Sequence, residues 1–263
     1  MNDFHIVINN LKYKVFSRHK RGHGIHSPFV FNLITLVFRN KIDPAIVSTI
    51  ENIRKEMLAD PSFVKVTDYG SGSKHFRDGM RKVSSIAKYS SVPKKYGELL
   101  HKFAAEYGGS DIIEMGTSLG ISGLYLATGA SGSMVHTIEG CPVVSEIAKR
   151  NFEKAGCRNI KVYTGKFDEV LPELKEKNIR PGLVFIDGDH RKDALLEYFD
   201  TISSMCNDKS VVIIDDIHRS VEMAEGWKEI KRMKNVSVTI DICRMGIVFF
   251  RKGISKFDYV IRY

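Results

Sequence analysis

The sequence predicts an α/β fold built around a mostly parallel sheet. The first observation is a regular alternation of apolar strand patterns and amphipathic helix patterns from residue 111 onward, which is typical of βαβ units. The second is a final pair of strand patterns separated only by Arg244 and Met245, which indicates a hairpin. The third is a carboxylate or glycine turn at the ends of the parallel strands, where open α/β sheets bind ligands.

Seven strands and five helices are expected in this part of the chain. The strands are Asp111–Met115, Met134–Glu139, Ile160–Thr164, Gly182–Asp187, Ser210–Asp215, Val236–Cys243 and Gly246–Arg251. The helices are Ser122–Thr128, Pro142–Ala155, Asp168–Lys177, Asp193–Met205 and Ser220–Met233. The expected sheet therefore has five parallel strands and a terminal antiparallel hairpin.

The region before the first strand predicts a basic helical cap over residues 1–95, with a ligand-binding domain over residues 96–263. Helical patterns cover Phe29–Phe38, Pro44–Leu58 and Tyr96–Tyr107. Ser27 and Pro28 are suited to the N-cap and first turn of the first of these helices. Residues 68–82 between them are expected to form a basic loop.

The positive charge is concentrated in the first 110 residues, which hold 18 Lys/Arg against 9 Asp/Glu and account for the whole net charge of +9. Its densest run, residues 18–28, contains alternating glycines and histidines. Three interpretations remain open for this run: a solvated face, a cover over a site for an anionic acceptor, or a clamp for RNA phosphates.

Composition favours an ordinary globular protein, with 43% hydrophobic and 27% charged residues. The N-terminus lacks the pattern of a signal peptide, and no apolar run has the length of a membrane span. The four cysteines form no CxxC pair, which disfavours a zinc site or a disulfide framework. We expect a cytoplasmic protein without a membrane partner, and a homodimer is left open.

A glycine loop follows the first strand and indicates the cofactor. Its spacing, Gly116-x-x-x-Gly120, differs from the G-x-G-x-x-G that lets a backbone approach a pyrophosphate. S-adenosylmethionine fits such a site, because it carries an ammonium and a sulfonium, and Glu114 supplies negative charge nearby. The loop therefore predicts an S-adenosylmethionine site.

Four further residues complete the predicted cofactor site. Glu139, at the end of the second strand, is placed to accept hydrogen bonds from the ribose hydroxyls. Ser118 and Ser122, near a helix N-terminus, are placed to hold the methionine carboxylate through backbone N–H groups. Asp168, after the third strand, is placed to accept from the adenine amino group. The alternative is that Glu114 and Glu139 are ordinary strand-end carboxylates.

A competing glycine loop, Asp68-Tyr-Gly-Ser-Gly-Ser73, has a more familiar methyltransferase spacing. No strand-helix-strand ladder with an acidic partner follows it, since residues 74–102 are rich in Lys, Arg and Ser. We therefore interpret it as a turn in the cap.

Three segments together resemble the class I metal-dependent O-methyltransferases of the catechol, caffeoyl-CoA and macrolide-sugar type. They are Glu114-x-Gly-x-x-x-Gly-x-Ser122, Val184-Phe-Ile-Asp-Gly-Asp-His190 and Ile213-Ile-Asp-Asp-Ile-His218. The resemblance covers roughly residues 90–251. It implies a Rossmann-like seven-stranded sheet with an antiparallel C-terminal hairpin.

The resemblance also implies a metal and a base. In that family a magnesium ion lies at the positions of Asp187, Asp215 and Asp216, and all-oxygen ligation suits Mg²⁺ or Ca²⁺. His190 stands where the family has its general base, and Asp187 also lies near the cofactor. The Asp-Asp pair in place of Asp-Asn and the helical cap depart from the best-known members. Alternatively, the pair caps a helix, Asp187 contacts only the cofactor, and His190 is a loop residue.

Three functions remain in view. The leading one is metal-assisted O-methylation of a small hydroxylated acceptor. The second is RNA methylation that uses the basic cap, although the aromatic Asn/Asp-Pro-Pro-Tyr signature of amino-group methylation is absent at Ile186-Asp187-Gly188-Asp189. The third is a non-catalytic cofactor-binding module. The identity of the acceptor depends on cap loops and pocket shape.

Overall fold

A computed structural model describes residue 13, residue 17 and residues 27–67 and 79–263. The strands are β1 (Phe63–Lys65), β2 (Met80–Lys82), β3 (Asp111–Met115), β4 (Met134–Glu139), β5 (Ile160–Thr164), β6 (Pro181–Ile186), β7 (Val211–Ile214), β8 (Val238–Asp241), β9 (Gly246–Phe249) and β10 (Phe257–Val260). The α-helices are α1 (Pro28–Asn32), α2 (Pro44–Ala59), α3 (Val83–Ser90), α4 (Lys94–Tyr107), α5 (Ile121–Gly129), α6 (Pro142–Lys154), α7 (Phe167–Glu176), α8 (Lys192–Met205) and α9 (Val221–Arg232).

The large sheet has the order β10-β8-β9-β7-β6-β3-β4-β5. Strands β5, β4, β3, β6 and β7 are parallel, whereas β9 pairs antiparallel with both β7 and β8. The predicted Rossmann-like sheet with its C-terminal hairpin is confirmed. An eighth strand, β10, pairs parallel with β8 at the edge and was not predicted, because its mostly exposed residues lack a strand pattern.

The central strands are covered on both faces. Successive residues alternate between two apolar clusters: Ile112, Phe185 and Ile213 belong to one, and Ile113 and Val184 to the other. This alternation follows from the period of two in a strand. Burial on both faces fixes the register of β3, β6 and β7, and thereby the position of the residues that follow each strand.

Two helices of the predicted cap belong to the same core as one face of the sheet, since Val30 and Ile50 lie in one cluster with Leu100 and Ile112. The predicted helix starts at Pro28 and Pro44 are confirmed. The first helix continues as a π-helix over Leu33–Phe38. The domain boundary near residue 95 stays a prediction.

The segment expected to form a basic loop, residues 68–82, contains a strand in its described part, residues 79–82. Met80–Lys82 forms β2, which pairs with β1, and α3 follows directly. The competing glycine loop, residues 68–73, and residues 18–26 of the basic run lie outside the described residues. Within the described ranges, no helix has both the length and the apolar character needed to cross a membrane.

Candidate functional site

The loop after β3 lies directly against the end of β6. The Asp187 amide donates to the Met115 carbonyl oxygen at 2.8 Å. Gly116 has φ of +102°, and a Cβ at that position would lie 2.1 Å from the Asp187 carbonyl oxygen. Gly120 and Ser118 also have positive φ, so the loop folds tightly before α5 begins. Only glycine satisfies the backbone at position 116.

Glu114, the fourth residue of β3, is a fully buried carboxylate. Its Oε2 accepts from the Thr137 hydroxyl at 2.6 Å, whereas Oε1 is buried with no hydrogen-bond partner in the described part of the chain. Burial raises the pKa of Glu114 to about 7, although hydrogen bonds from Ser122 and Thr137 oppose the shift. A bound cation would stabilise the ionised form.

Glu139 connects the glycine loop to the start of α6. Its Oε2 accepts from the Ser118 amide at 2.8 Å and its Oε1 from the Cys141 amide at 2.9 Å. Each carboxylate oxygen offers a second acceptor site, so this arrangement is compatible with the predicted contacts to ribose hydroxyls. The carboxylate thus has a structural role in ordering the loop whether or not it binds ribose.

The other predicted cofactor residues lie at the same edge of the sheet or near it. Ser122 is buried beside Glu114 in the first turn of α5. Asp168 is exposed in the first turn of α7. Phe167, its neighbour, lies against Gly188, where an added Cβ would meet its ring at 2.6 Å. The roles given to these residues stay predictions.

The acidic residues after β6 and β7 surround an arginine. Arg244, in the turn between β8 and β9, places Nε 2.9 Å from Asp215 Oδ1 and Nη2 2.6 Å from Asp215 Oδ2. The Asp215 side chain is completely buried, and the same Nη2 lies 3.6 Å from Asp216 Oδ1. Asp216 also accepts from Arg219 at 3.0 Å. The acidic pair is therefore neutralised mainly by guanidinium groups.

The carboxylates still influence one another. Burial and the charges of Asp215 and Asp216 raise the pKa of Asp187 well above its usual range. Burial also raises the pKa of Asp215 to about 6, while its bond to Arg244 opposes the shift. A lone dication would relieve such repulsion, but a guanidinium already relieves part of it.

The predicted metal ligands do not fit a metal in this arrangement. Asp215 was expected to offer oxygens to Mg²⁺ or Ca²⁺, but both of its oxygens are held by Arg244. Within the described ranges, no group of three or more His, Cys, Asp and Glu side chains is arranged to hold a metal ion. The metal expected at Asp187, Asp215 and Asp216 stays a prediction that this geometry does not support.

His190 lies beside Asp187, with its Nε2 4.0 Å from Asp187 Oδ1. Burial lowers the pKa of His190, and the charges of Arg219 and Arg244 lower it further, while Asp216 opposes them. The imidazole is therefore neutral near pH 7 and can accept a proton. The role of general base stays a prediction for His190.

Sequence reasoning missed Arg244, which it treated only as part of a hairpin connection. A signal was available, because β9 runs antiparallel to β7 and Gly246 pairs with Ile214. The turn before β9 must then lie beside the carboxyl end of β7, where Asp215 and Asp216 follow. An arginine in that turn is within reach of both carboxylates.

Comparisons with known proteins indicate a methyltransferase domain. A family described as a methyltransferase domain matches residues 113–217. A catechol O-methyltransferase from Niastella koreensis is 26% identical over 181 residues, covering 64% of this chain and 79% of that protein. A Mycolicibacterium smegmatis protein, provisionally named an O-methyltransferase, is 35% identical over 102 residues, covering 38% and 48%. The chain thus spans about half the length of the mycobacterial relative.

A solved structure supports the fold. The Bacillus cereus O-methyltransferase in complex with SAH aligns with a TM-score of 0.57 at 18% identity, covering 90% of this chain and 99% of that one. The matched domain, residues 113–217, contains the glycine loop, the ends of β4, β6 and β7, and His190. The matched domain, the sheet order and the relatives support an S-adenosylmethionine-dependent methyltransferase, with O-methyltransferases among the relatives.

Proposed function

We propose that the protein transfers a methyl group from S-adenosylmethionine to the hydroxyl oxygen of a small acceptor. The observation that carries the proposal is the contact between the glycine loop and the end of β6, where Gly116 touches the Asp187 backbone. His190 lies next to the same aspartate. A cofactor held by the loop would thus lie beside the group suited to take a hydroxyl proton.

Three carboxylates and the glycine loop would hold the cofactor. The buried Glu114 would attract the ammonium, and Glu139 would accept from the ribose hydroxyls. The loop from Gly116 to Ser122 would hold the methionine carboxylate, and Asp168 would accept from the adenine. When bound, S-adenosylmethionine supplies a methyl carbon on a sulfonium that leaves with the electrons of the broken S–C bond.

The residues around His190 would prepare the acceptor. Neutral His190 takes the hydroxyl proton as the acceptor oxygen forms its bond to the methyl carbon. Asp187, whose Oδ1 lies 4.0 Å from His190 Nε2, would be close enough to stabilise the imidazolium that forms. Much of the rate enhancement would come from holding the oxygen in line with the methyl group, since positioning supplies a large share of the barrier reduction in such reactions.

Magnesium or calcium has no step in this proposal, because Arg244 already holds both oxygens of Asp215. The RNA hypothesis depended on the basic cap, of which residues 18–26 lie outside the described residues, and no contact in the described part of the cap favours it. The O-methyltransferase relatives favour a small hydroxylated acceptor.

Replacing His190 tests the proposal. The protein is incubated with S-adenosylmethionine and a panel containing catechol, a monophenol and a sugar, and methylated product is detected by mass spectrometry. We expect His190→Ala and His190→Gln to lower kcat about 100-fold or more, as for loss of a general base. The dissociation constant of S-adenosylmethionine, measured by calorimetry, should change less than about threefold, since His190 serves the acceptor side.

Asp193→Asn provides a matched control, because it removes a nearby carboxylate at the start of α8 that the proposal does not use. It should leave product formation unchanged. The proposal is wrong if no acceptor in the panel is methylated while the cofactor binds. It is also wrong if both His190 variants retain the full rate.

A further inference from the structure

The turn between β8 and β9 fixes the backbone of Arg244. The Ile242 amide donates to the Met245 carbonyl oxygen at 3.0 Å, and Cys243 adopts a positive φ of 74°. The Ile217 amide donates to the Arg244 carbonyl oxygen at 3.1 Å. The arginine is thereby attached to the segment after β7, which carries its carboxylate partners.

The side chain of Arg244 is held as firmly as its backbone. Nε and Nη2 form a fork on Asp215, and such two-point bonds between charged groups are among the strongest in proteins. The guanidinium carbon also lies 5.8 Å from the centre of the Tyr96 ring. Because Asp215 has no exposed side-chain surface, removing its partner would leave a buried charge uncompensated.

The charges around the acidic residues are therefore balanced by the chain itself. Arg244 faces Asp215 and Asp216, and Arg219 adds a second guanidinium at Asp216. Three carboxyl groups thus meet two guanidinium groups of the same chain. A resident dication would have to displace Arg244 from Asp215.

We propose that Arg244 is the permanent cation of this site and takes the place of a divalent metal ion. This inference rests on the proposed function for its role in methyl transfer, but not for its prediction about metal binding. Arg244 acts as a positioning residue: its guanidinium binds Asp215 and lies 3.6 Å from Asp216, so it orders both carboxyl groups at this corner of the sheet. Methyl transfer then needs no added divalent ion.

A Mn²⁺ titration of the wild-type protein, followed by electron paramagnetic resonance, tests the inference without an activity assay. We expect no stoichiometric Mn²⁺ binding below millimolar concentrations. Any acceptor turnover should keep its rate within about twofold in excess EDTA. Stoichiometric micromolar binding that disappears in Asp215→Asn would overturn the inference, as would turnover that collapses in EDTA and returns with Mg²⁺.

Replacing Arg244 should open the site that it fills. In Arg244→Ala, freed carboxylates should bind Mn²⁺ at least tenfold more tightly than in the wild type, and Mg²⁺ should raise the Tm of this variant alone. Arg219→Ala is the matched control, since it removes a guanidinium from Asp216 but leaves the fork on Asp215, and it should gain no binding. A folded Arg244→Ala protein that gains no Mn²⁺ affinity contradicts the inference.

Arg244→Lys covers the case in which the alanine variant fails to fold. Lysine keeps the positive charge but loses the two-point contact, so this variant should still exclude Mn²⁺ while its Tm falls. A lysine variant that binds Mn²⁺ stoichiometrically at micromolar concentrations would count against the inference. The Mn²⁺ measurements stand even if no acceptor is methylated, so failure of the proposed function remains distinguishable.

Discussion

Glu114 places a carboxylate where the folded protein does not favour its ionisation. Burial raises its pKa to about 7, and one of its oxygens has no hydrogen-bond partner among the described residues. A pKa raised from 4.5 means that the folded state binds the proton more tightly than the unfolded state does. The stabilising effect of that proton is complete below about pH 4.5 and is lost as the pH rises through about 7.

Glu114→Gln should therefore stabilise the protein without cofactor at pH 8 while weakening cofactor binding. A shift of this size corresponds to about 3 kcal/mol, so we expect a gain of about 1–3 kcal/mol in the free energy of unfolding. Urea denaturation at pH 8 and pH 5 measures it, and the gain should shrink at the lower pH. Calorimetry should give at least tenfold weaker S-adenosylmethionine binding.

Glu153→Gln is the control for this prediction, because Glu153 is an exposed carboxylate of α6. It should leave both the stability and the cofactor affinity unchanged. A Glu114→Gln protein that is as stable as the wild type at pH 8 would contradict the burial argument. One that binds the cofactor with unchanged affinity would remove Glu114 from the cofactor site.

At the scale of elements, β10 and the residue after it complete the sheet edge. β10 pairs with β8, and Thr239 of β8 donates to Asp258 at 2.7 Å. Ile261 is 1% exposed and joins the core, whereas Val260 is 38% exposed. Adjacent residues thus point to opposite sides, as expected for an extended chain.

Ile261→Ala should destabilise the protein far more than Val260→Ala. Truncating a buried isoleucine creates a cavity and costs about 2–5 kcal/mol, whereas the exposed valine should cost less than about 0.5 kcal/mol. Guanidinium denaturation curves of the two variants provide the measurement. Equal losses for both would mean that the residues after β10 contribute no core packing.

The strands of the parallel sheet could be predicted from the sequence, whereas the edge strand β10 could not. β3, β4 and β5 begin and end at the expected residues, because their β-branched and apolar residues stand between turn residues. β10 has mostly exposed residues and depends on β8 for its pairing. The π-helix after α1 and the β1–β2 hairpin depend on tertiary packing in the same way.

The same limit applies to the site. The positions of Glu114, Gly116 and Asp187 follow from strand ends, which the apolar pattern locates. The partner of Asp215 depends on how a long side chain reaches between strands that are distant in sequence. The sequence contains Arg244 but does not show which residues its side chain contacts. A metal ion was therefore expected at the carboxylates that the guanidinium of Arg244 binds.

At the scale of the whole molecule, Tyr13 connects the beginning of the described chain to its end. Its hydroxyl donates to the Ile261 carbonyl oxygen at 2.6 Å and accepts from the Tyr263 amide at 2.9 Å. Tyr263 in turn packs against Phe38 and Tyr96. Tyr13 is therefore joined to the residues that follow β10 at the sheet edge.

Tyr13→Phe should lower the free energy of unfolding by about 1–3 kcal/mol, because it leaves two backbone groups without their partner. Thermal and urea unfolding measure the loss. Tyr89→Phe is the matched control, since its side chain is 76% exposed and should change stability by less than about 0.5 kcal/mol. An unaffected Tyr13→Phe protein would indicate that water replaces the hydroxyl.

The place of Arg244 in the chain has a consequence for synthesis on the ribosome. Asp187, Asp215 and Asp216 emerge before the β8–β9 turn, so the acidic residues have no guanidinium from Arg244 while the parallel strands form. Domains tend to fold from the N-terminus as they are made, but Asp215 can be buried as a paired charge only after the hairpin inserts beside β7. A nascent chain stalled before residue 244 would therefore remain open at the very edge where methyl transfer is proposed to occur.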